Sequence, residues 1–230
     1  DMSVMVIDPS GRGSDETGYA VAKMAGGNVY IPKAGGLQGG YDDATLISLC
    51  NIAKLYKVNK ILIESNFGDG MYSKLLEPHL SRIYPCSMEE VRQTSQKELR
   101  IISSLEPVMN QHRLIIDPAV IQEDYDTAMA RYTSDVAPQY MLMYQLARLT
   151  KDRNALKHDD RLDALAMAVN YFKDAMGLDQ AAAEARRKEE LWDAEIDKWI
   201  AEMGGQPSSG PTHFIDRMKD NILKPRRGRR

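Results

Sequence analysis

Twice within its first 70 residues the chain runs a short apolar segment straight into an acid and then into a glycine-bearing turn. Ser3-Val4-Met5-Val6-Ile7 leads into Asp8-Pro9-Ser10-Gly11, and Lys60-Ile61-Leu62-Ile63 leads into Glu64 and then Asn66-Phe67-Gly68-Asp69-Gly70. Apolar runs this short, bounded by turn formers, read as buried strands. Each such strand delivers a carboxylate to its C-terminal end, and the fold must bring two such ends to the same place or leave the acids unrelated.

The segments between and after these strands decide which. Residues 17–24 and 28–33 flank Gly26-Gly27-Asn28, a hairpin signal. After the glycine-rich stretch 35–40, Asp42 can cap a helix over 43–57 whose Leu46, Leu49, Cys50, Ala53 and Tyr56 form one stripe. A helix over 70–79, a strand over 82–86, a helix over 95–109 and a strand over 113–116 follow, then helices over 118–131, 138–149 and 159–176. The alternation predicts an α/β class with a mixed, mostly parallel sheet of five or more strands, flanked by helices. Three strands, a helix and a fourth strand beside the first is the winding order of ribonuclease-H-like folds. Right-handed crossovers then place the ends of the first and fourth strands side by side, so Asp8 and Glu64 would face each other where open α/β sheets collect their ligand chemistry.

A third group of acids lies in Lys157-His158-Asp159-Asp160-Arg161-Leu162-Asp163. On a helix advancing about 100° per residue, Asp160, Asp163, Met167 and Asn170 share one sector, and Leu162, Leu165, Val169, Phe172 and Met176 the other. The apolar face can pack on the sheet while Asp160 and Asp163 present neighbouring carboxylates from the first turn, where the helix dipole favours negative charge. Four clustered carboxylates resist joint ionisation unless cations lie between them. Oxygen-only ligands select Mg²⁺ or Mn²⁺ over zinc, and two such ions about 3.5–4 Å apart can clamp the attacking water and the leaving oxygen of a phosphodiester. The expected chemistry is hydrolytic DNA cleavage by Asp8, Glu64, Asp160 and Asp163.

Composition bounds the alternatives. At 230 residues and a net charge of -3, with 43% hydrophobic residues, the chain has the make-up of a globular protein rather than a disordered or fibrous one. No apolar run is long enough to span a membrane and no secretion leader is visible, which predicts a cytoplasmic protein without membrane contact. Cys50 and Cys86 lack metal-ligand spacing and read as reduced core thiols. Residues 1–176 are expected to form the main domain, 177–204 a C-terminal amphipathic helix with Trp192, Ile196, Trp199, Ile200 and Met203 on its stripe, and 205–230 a flexible basic tail ending Arg226-Arg227-Gly228-Arg229-Arg230. The chain opens at Asp1 without an initiator methionine, so further motifs are expected upstream.

The motifs Val-Met-Val-Ile-Asp8-Pro-Ser-Gly-Arg-Gly, Ile-Leu-Ile-Glu64-Ser-Asn-Phe-Gly-Asp-Gly-Met-Tyr and His158-Asp-Asp160-Arg-Leu-Asp163-Ala-Leu-Ala-Met-Ala resemble those of the nuclease domain of the large terminase subunit of tailed bacteriophages, especially short-tailed ones. The resemblance covers about residues 3–172. It implies a metal-dependent endonuclease, using Mg or Mn, that cuts concatemeric viral genome DNA during packaging into procapsids. It also implies an upstream ATPase domain, and as partners double-stranded DNA, a portal protein and a small terminase subunit. The place of action would be the cytoplasm of an infected bacterial host, transiently at the procapsid portal. The family takes its third ligand from either of two positions three residues apart, and both are aspartate here, so Asp160 and Asp163 stay unranked. Asp15 is an accessory metal ligand by the same resemblance, or a loop acid; Asp69 and Asp117 are weaker candidates.

For DNA contact the candidates are Arg12, beside Asp8, and the cations around the third acidic group: Lys151, Arg153, Lys157 and Arg161. His158 reads as a supporting or surface residue rather than a ligand. Three other readings compete: a junction resolvase or transposase of the same superfamily, separable by branched-DNA cleavage; a non-catalytic portal or DNA docking module, in which Asp8→Ala would be silent; and an actin-like nucleotide-binding domain, which would bind ATP.

Overall fold

A computed structural model describes residues 2–10, 15–65 and 70–202. Six strands, β1 (Met2–Asp8), β2 (Thr17–Ala25), β3 (Asn28–Leu37), β4 (Lys60–Glu64), β5 (Ser87–Val91) and β6 (Leu114–Ile116), form one sheet in the order β5-β4-β1-β2-β3-β6. β1 pairs antiparallel with β2, and β2 with β3. The pairs β1–β4, β4–β5 and β3–β6 are parallel. The sheet is therefore mixed with a parallel majority, the ribonuclease-H-like arrangement that the strand order predicts. Gly26 and Gly27 take φ of 56° and 75° at the β2–β3 turn, the left-handed pair that a tight hairpin needs.

Period-two alternation sends neighbouring strand residues to opposite faces. Met5, Ile7, Val21, Ile61 and Ile63 pack under α1 (Asp43–Tyr56) and α2 (Met71–Ile83). Val4, Val6, Ala20, Ala22 and Leu62 pack on the other face against α3 (Lys97–Asn110), α5 (Leu142–Arg148) and α6 (Asp160–Glu202), with Val120 of α4 (Pro118–Arg131) in the same cluster. Asp8 and Glu64 share parity with Val6 and Leu62, so their side chains emerge on the α3/α6 face. The parallel register pairs Ile7 with Ile63, leaving Asp8 and Glu64 adjacent at the strand ends.

Three details of the fold differ from the sequence reading. The helix expected over 138–149 is a 3-10 turn, Ala137–Tyr140, followed after an extended Met141 by α5. The strand expected over 82–86 lies at Ser87–Val91, because α2 continues to Ile83 and the apolar residues there close the helix instead. This edge strand is poor in apolar residues, which is why periodicity missed it. The C-terminal amphipathic helix expected over 177–204 is also continuous with the one before it: α6 runs from Asp160 to Glu202. The chain divides into two compact units, Asp1–Met176 and Gly177–Arg230. Among the described residues no helix is long and apolar enough to cross a membrane.

α6 is seated by close approach and by buried charge. A Cβ on Gly18 would lie 2.1 Å from the backbone oxygen of Asp160, so β2 must be glycine where the helix starts. Arg161, 0% exposed, donates from Nε to Glu16 Oε2 at 2.7 Å, from Nη2 to Glu16 Oε1 at 3.0 Å and from Nη1 to Asp124 Oδ1 at 2.8 Å. Asp124 also accepts the backbone N–H of Leu142 at 2.8 Å and of Met143 at 3.1 Å, tying α4 to the start of α5.

Candidate metal centre

Asp8 ends β1, Glu64 ends β4 and Asp163 lies in the first turn of α6. Each offers an oxygen, and these atoms all lie within 4.8 Å of one another. The three side chains are buried, Asp163 completely. Beyond Asp8 the chain is held by Ser10, whose N–H donates to Thr17 Oγ1 at 3.2 Å.

Two cations from the first turn of α3 enter the same cleft, which has a volume of about 240 Å³. Lys97 Nζ lies 2.9 Å from Asp159, 3.1 Å from Asp163 and 3.9 Å from Asp8. Arg100 donates from Nη2 to Asp163 Oδ2 at 2.9 Å, and its Nη2 lies 3.9 Å from Glu64. Its Nη1 is 2.7 Å from Asp163 Oδ1, yet both atoms lack a hydrogen bond, because that contact is close in distance but off the donor axis.

Burial is the main force on Asp8 and raises its pKa well above the carboxylate range; the charges of Asp163 and Glu64 push the same way and Lys97 opposes them. Burial works against the Lys97 ammonium, but Asp163, Asp8 and Asp159 outweigh it and raise its pKa. Asp8 Oδ2 and Asp163 Oδ1 are buried without hydrogen-bond partners. Buried acceptors left unpaired are costly. An all-oxygen set with two unsatisfied lone-pair carriers fits a hard divalent cation, which would supply the missing positive charge.

Asp160, expected beside these three, does not join their group. It lies with Asp15 and His158, whose ligand atoms and its own are within 4.8 Å of one another. Burial raises Asp160 to about 7, with Lys97 lowering it and Asp159, Asp15 and Glu16 adding to the rise. The reason for the separation is angular: residues three apart on a helix point about 60° apart, enough to send Asp163 to the strand ends and Asp160 toward the loop entering β2.

Arg161 cannot grip phosphate as expected, since its guanidinium is spent on Glu16 and Asp124 in the interior. Lys151, Arg153 and Lys157 are exposed. Asp117 caps α4, accepting from the Ala119 N–H at 2.9 Å, and is thereby explained without a metal. Arg12 and Asp69 lie outside the described residues. Lys97 and Arg100 went unnoticed in the sequence, where they read as ordinary helix charges. The available signal was their spacing at the start of a helix that follows a strand ending at the same sheet edge.

The family model described as "Terminase Bacteriophage T7, Ribonuclease H-like domain" matches residues 7–114. A large terminase subunit from Enterobacteria phage T3 is 45% identical over 220 residues, which is 95% of this chain and 36% of that protein. The chain thus spans about a third of the length of that relative. Among solved structures, the terminase nuclease domain of human cytomegalovirus, soaked with Mn and bound to an inhibitor, aligns with a TM-score of 0.53 at 13% identity, covering 77% of this chain and 85% of that one. The nuclease domain of the large terminase subunit of bacterial virus Sf6 aligns with a TM-score of 0.51 at 12% identity, covering 74% and 88%. At these identities the structures speak for the fold.

Proposed function

Because the chain belongs to the large terminase subunits of tailed bacteriophages, as their ribonuclease-H-like nuclease domain, we propose that it hydrolyses double-stranded DNA at a divalent metal centre held by Asp8, Glu64 and Asp163. The observation that carries the reading is the convergence of three buried carboxylates from β1, β4 and α6, two of whose oxygens accept no hydrogen bond. A pair of Mg²⁺ or Mn²⁺ ions bound there would supply Lewis acidity to the attacking water and the leaving oxygen.

The chain's own residues set the rest. Asp8, on the strand next to β4, interacts electrostatically with both Glu64 and Asp163 and with them would hold the ions. Lys97 and Arg100 neutralise the acids before ions arrive and would turn toward phosphate once the acids are engaged, since a cation released from one anion finds its next partner in the substrate backbone. Exposed Arg153 and Lys157 are placed to grip flanking phosphates; such contacts fix position without reading bases. The biological act we assign is the cutting of concatemeric genome DNA during packaging, with an ATPase domain upstream, and a portal protein and small terminase subunit as partners in the host cytoplasm.

Supercoiled plasmid incubated with this chain tests the proposal. Cutting with Mn²⁺ or Mg²⁺, its loss in EDTA, and its loss in Glu64→Gln with unchanged circular dichroism are expected. Cutting that survives EDTA, or a fully active Glu64→Gln, would contradict it.

A further inference from the structure

Outside the three-carboxylate centre, the structure holds a second group of ligand atoms of different chemistry. We infer that Asp15, His158 and Asp160 form a separate site for a borderline divalent transition ion of the zinc class, beside the hard-ion centre rather than part of it.

The inference starts from His158. It is 7% exposed, and its ring is stacked on Tyr140 with centroids 4.0 Å apart and planes 21° from parallel. Tyr140 is stacked in turn on Tyr132, centroids 3.7 Å apart at 5°. That column fixes the imidazole and aims Nδ1 at the Asp15 carboxylate, 3.4 Å away. Nδ1 is nonetheless a buried atom without a hydrogen-bond partner. The separation exceeds the ordinary N–H···O length of about 2.9 Å. It is close to the edge, roughly 3.3 Å, of a tetrahedron whose centre lies about 2.0–2.1 Å from each ligand. An imidazole nitrogen at this distance from a carboxylate, with no hydrogen bond of its own, is placed to share an ion with it.

The other two donors complete the set. Asp160 projects from the start of α6, and one of its oxygens lies within 4.8 Å of the donor atoms of both partners. Asp15, with 62% of its side chain exposed, opens the group to solvent and gives an ion a way in. One nitrogen and two carboxylate oxygens suit zinc-class ions, whereas Mg²⁺ takes oxygen ligands and disfavours imidazole. Three protein ligands also leave a fourth position open for water. The two centres differ in donor chemistry, so they can be loaded and read separately.

Isothermal titration of Zn²⁺ into the full chain in millimolar Mg²⁺, which competes for the all-oxygen centre, reads this site without reference to DNA cleavage, so it stands or falls apart from the nuclease assignment. One Zn²⁺ site is expected to survive the Mg²⁺, to weaken at least tenfold in Asp15→Asn and in His158→Gln, and to be unchanged in Glu64→Gln. Absence of such a site, equal affinity in Asp15→Asn, or loss of it in Glu64→Gln would overturn the inference. Should His158→Gln fail to fold by circular dichroism, Asp15→Asn, at an exposed position, decides alone.

Discussion

Asp163 and Arg161, two residues apart on one helix turn, show how the same few charges divide between chemistry and architecture. Asp163 is buried at the strand ends with one oxygen that lies 2.7 Å from Arg100 but accepts no hydrogen bond; Arg161 is buried with all three guanidinium nitrogens donating to Glu16 and Asp124. Removing the guanidinium strands Glu16 and Asp124 in the interior, and a buried ion network broken from one side costs about 3–5 kcal/mol. Arg161→Met is therefore expected to lower the denaturation free energy by that order, measured by urea titration; an effect under about 1 kcal/mol would place the network among neutral surface pairs. Asp160 gives a pH prediction. Its folded pKa of about 7 stands above that of a free aspartate, so the native state holds a proton that the unfolded chain has released. With metal stripped, this group makes stability fall as pH rises from about 4 toward 7, and flat beyond. Asp160→Asn should remove that part of the slope, raising stability at pH 8 far more than at pH 4 when urea midpoints are compared in EDTA. Parallel pH profiles for the variant and the parent chain would contradict the assignment.

At the scale of elements, the glycine at position 18 ties β2 to the start of α6. A methyl there would meet backbone, not a flexible side chain, at 2.1 Å, and overpacking of this kind costs about 1–3 kcal/mol. Because the displaced turn carries Asp160 and Asp163, Gly18→Ala is expected to lose cleavage more than tenfold while remaining folded at 25 °C; a variant with full activity would show that the helix start tolerates movement. The elements that bring the acids together were legible in the sequence. β1 and β4 announce themselves by apolar runs ending in acids, and the crossover rule places their ends side by side. What could not be read was which face each acid of α6 would meet. Asp160 and Asp163 lie in the same sector of a helical wheel, and only the packed direction of the helix separates them. Arg161 was misread for a related reason: its partners, Glu16 and Asp124, lie 145 and 37 residues away, and no local spacing points to them. Ser87–Val91 escaped because an edge strand with charged residues lacks the apolar signal of a buried one.

The whole chain carries a net charge of -3, so any grip on DNA must come from local cations rather than a general field. Arg153 and Lys157 together should then contribute to binding without sequence preference. The double variant Arg153→Ala with Lys157→Ala is expected to bind unrelated duplexes equally more weakly and to lower the slope of log affinity against log salt by about one per cation removed; an unchanged slope would exclude them from the interface. The nuclease assignment depends on one coincidence of geometry, that acids from positions 8, 64 and 163 share ions. The direct measurement is anomalous scattering from a crystal soaked in Mn²⁺. The account predicts a peak about 2.0–2.4 Å from oxygens of Asp8 and of at least one of Glu64 and Asp163, with Lys97 and Arg100 drawn away from them. Full Mn²⁺ loading with no peak between these three side chains would contradict it.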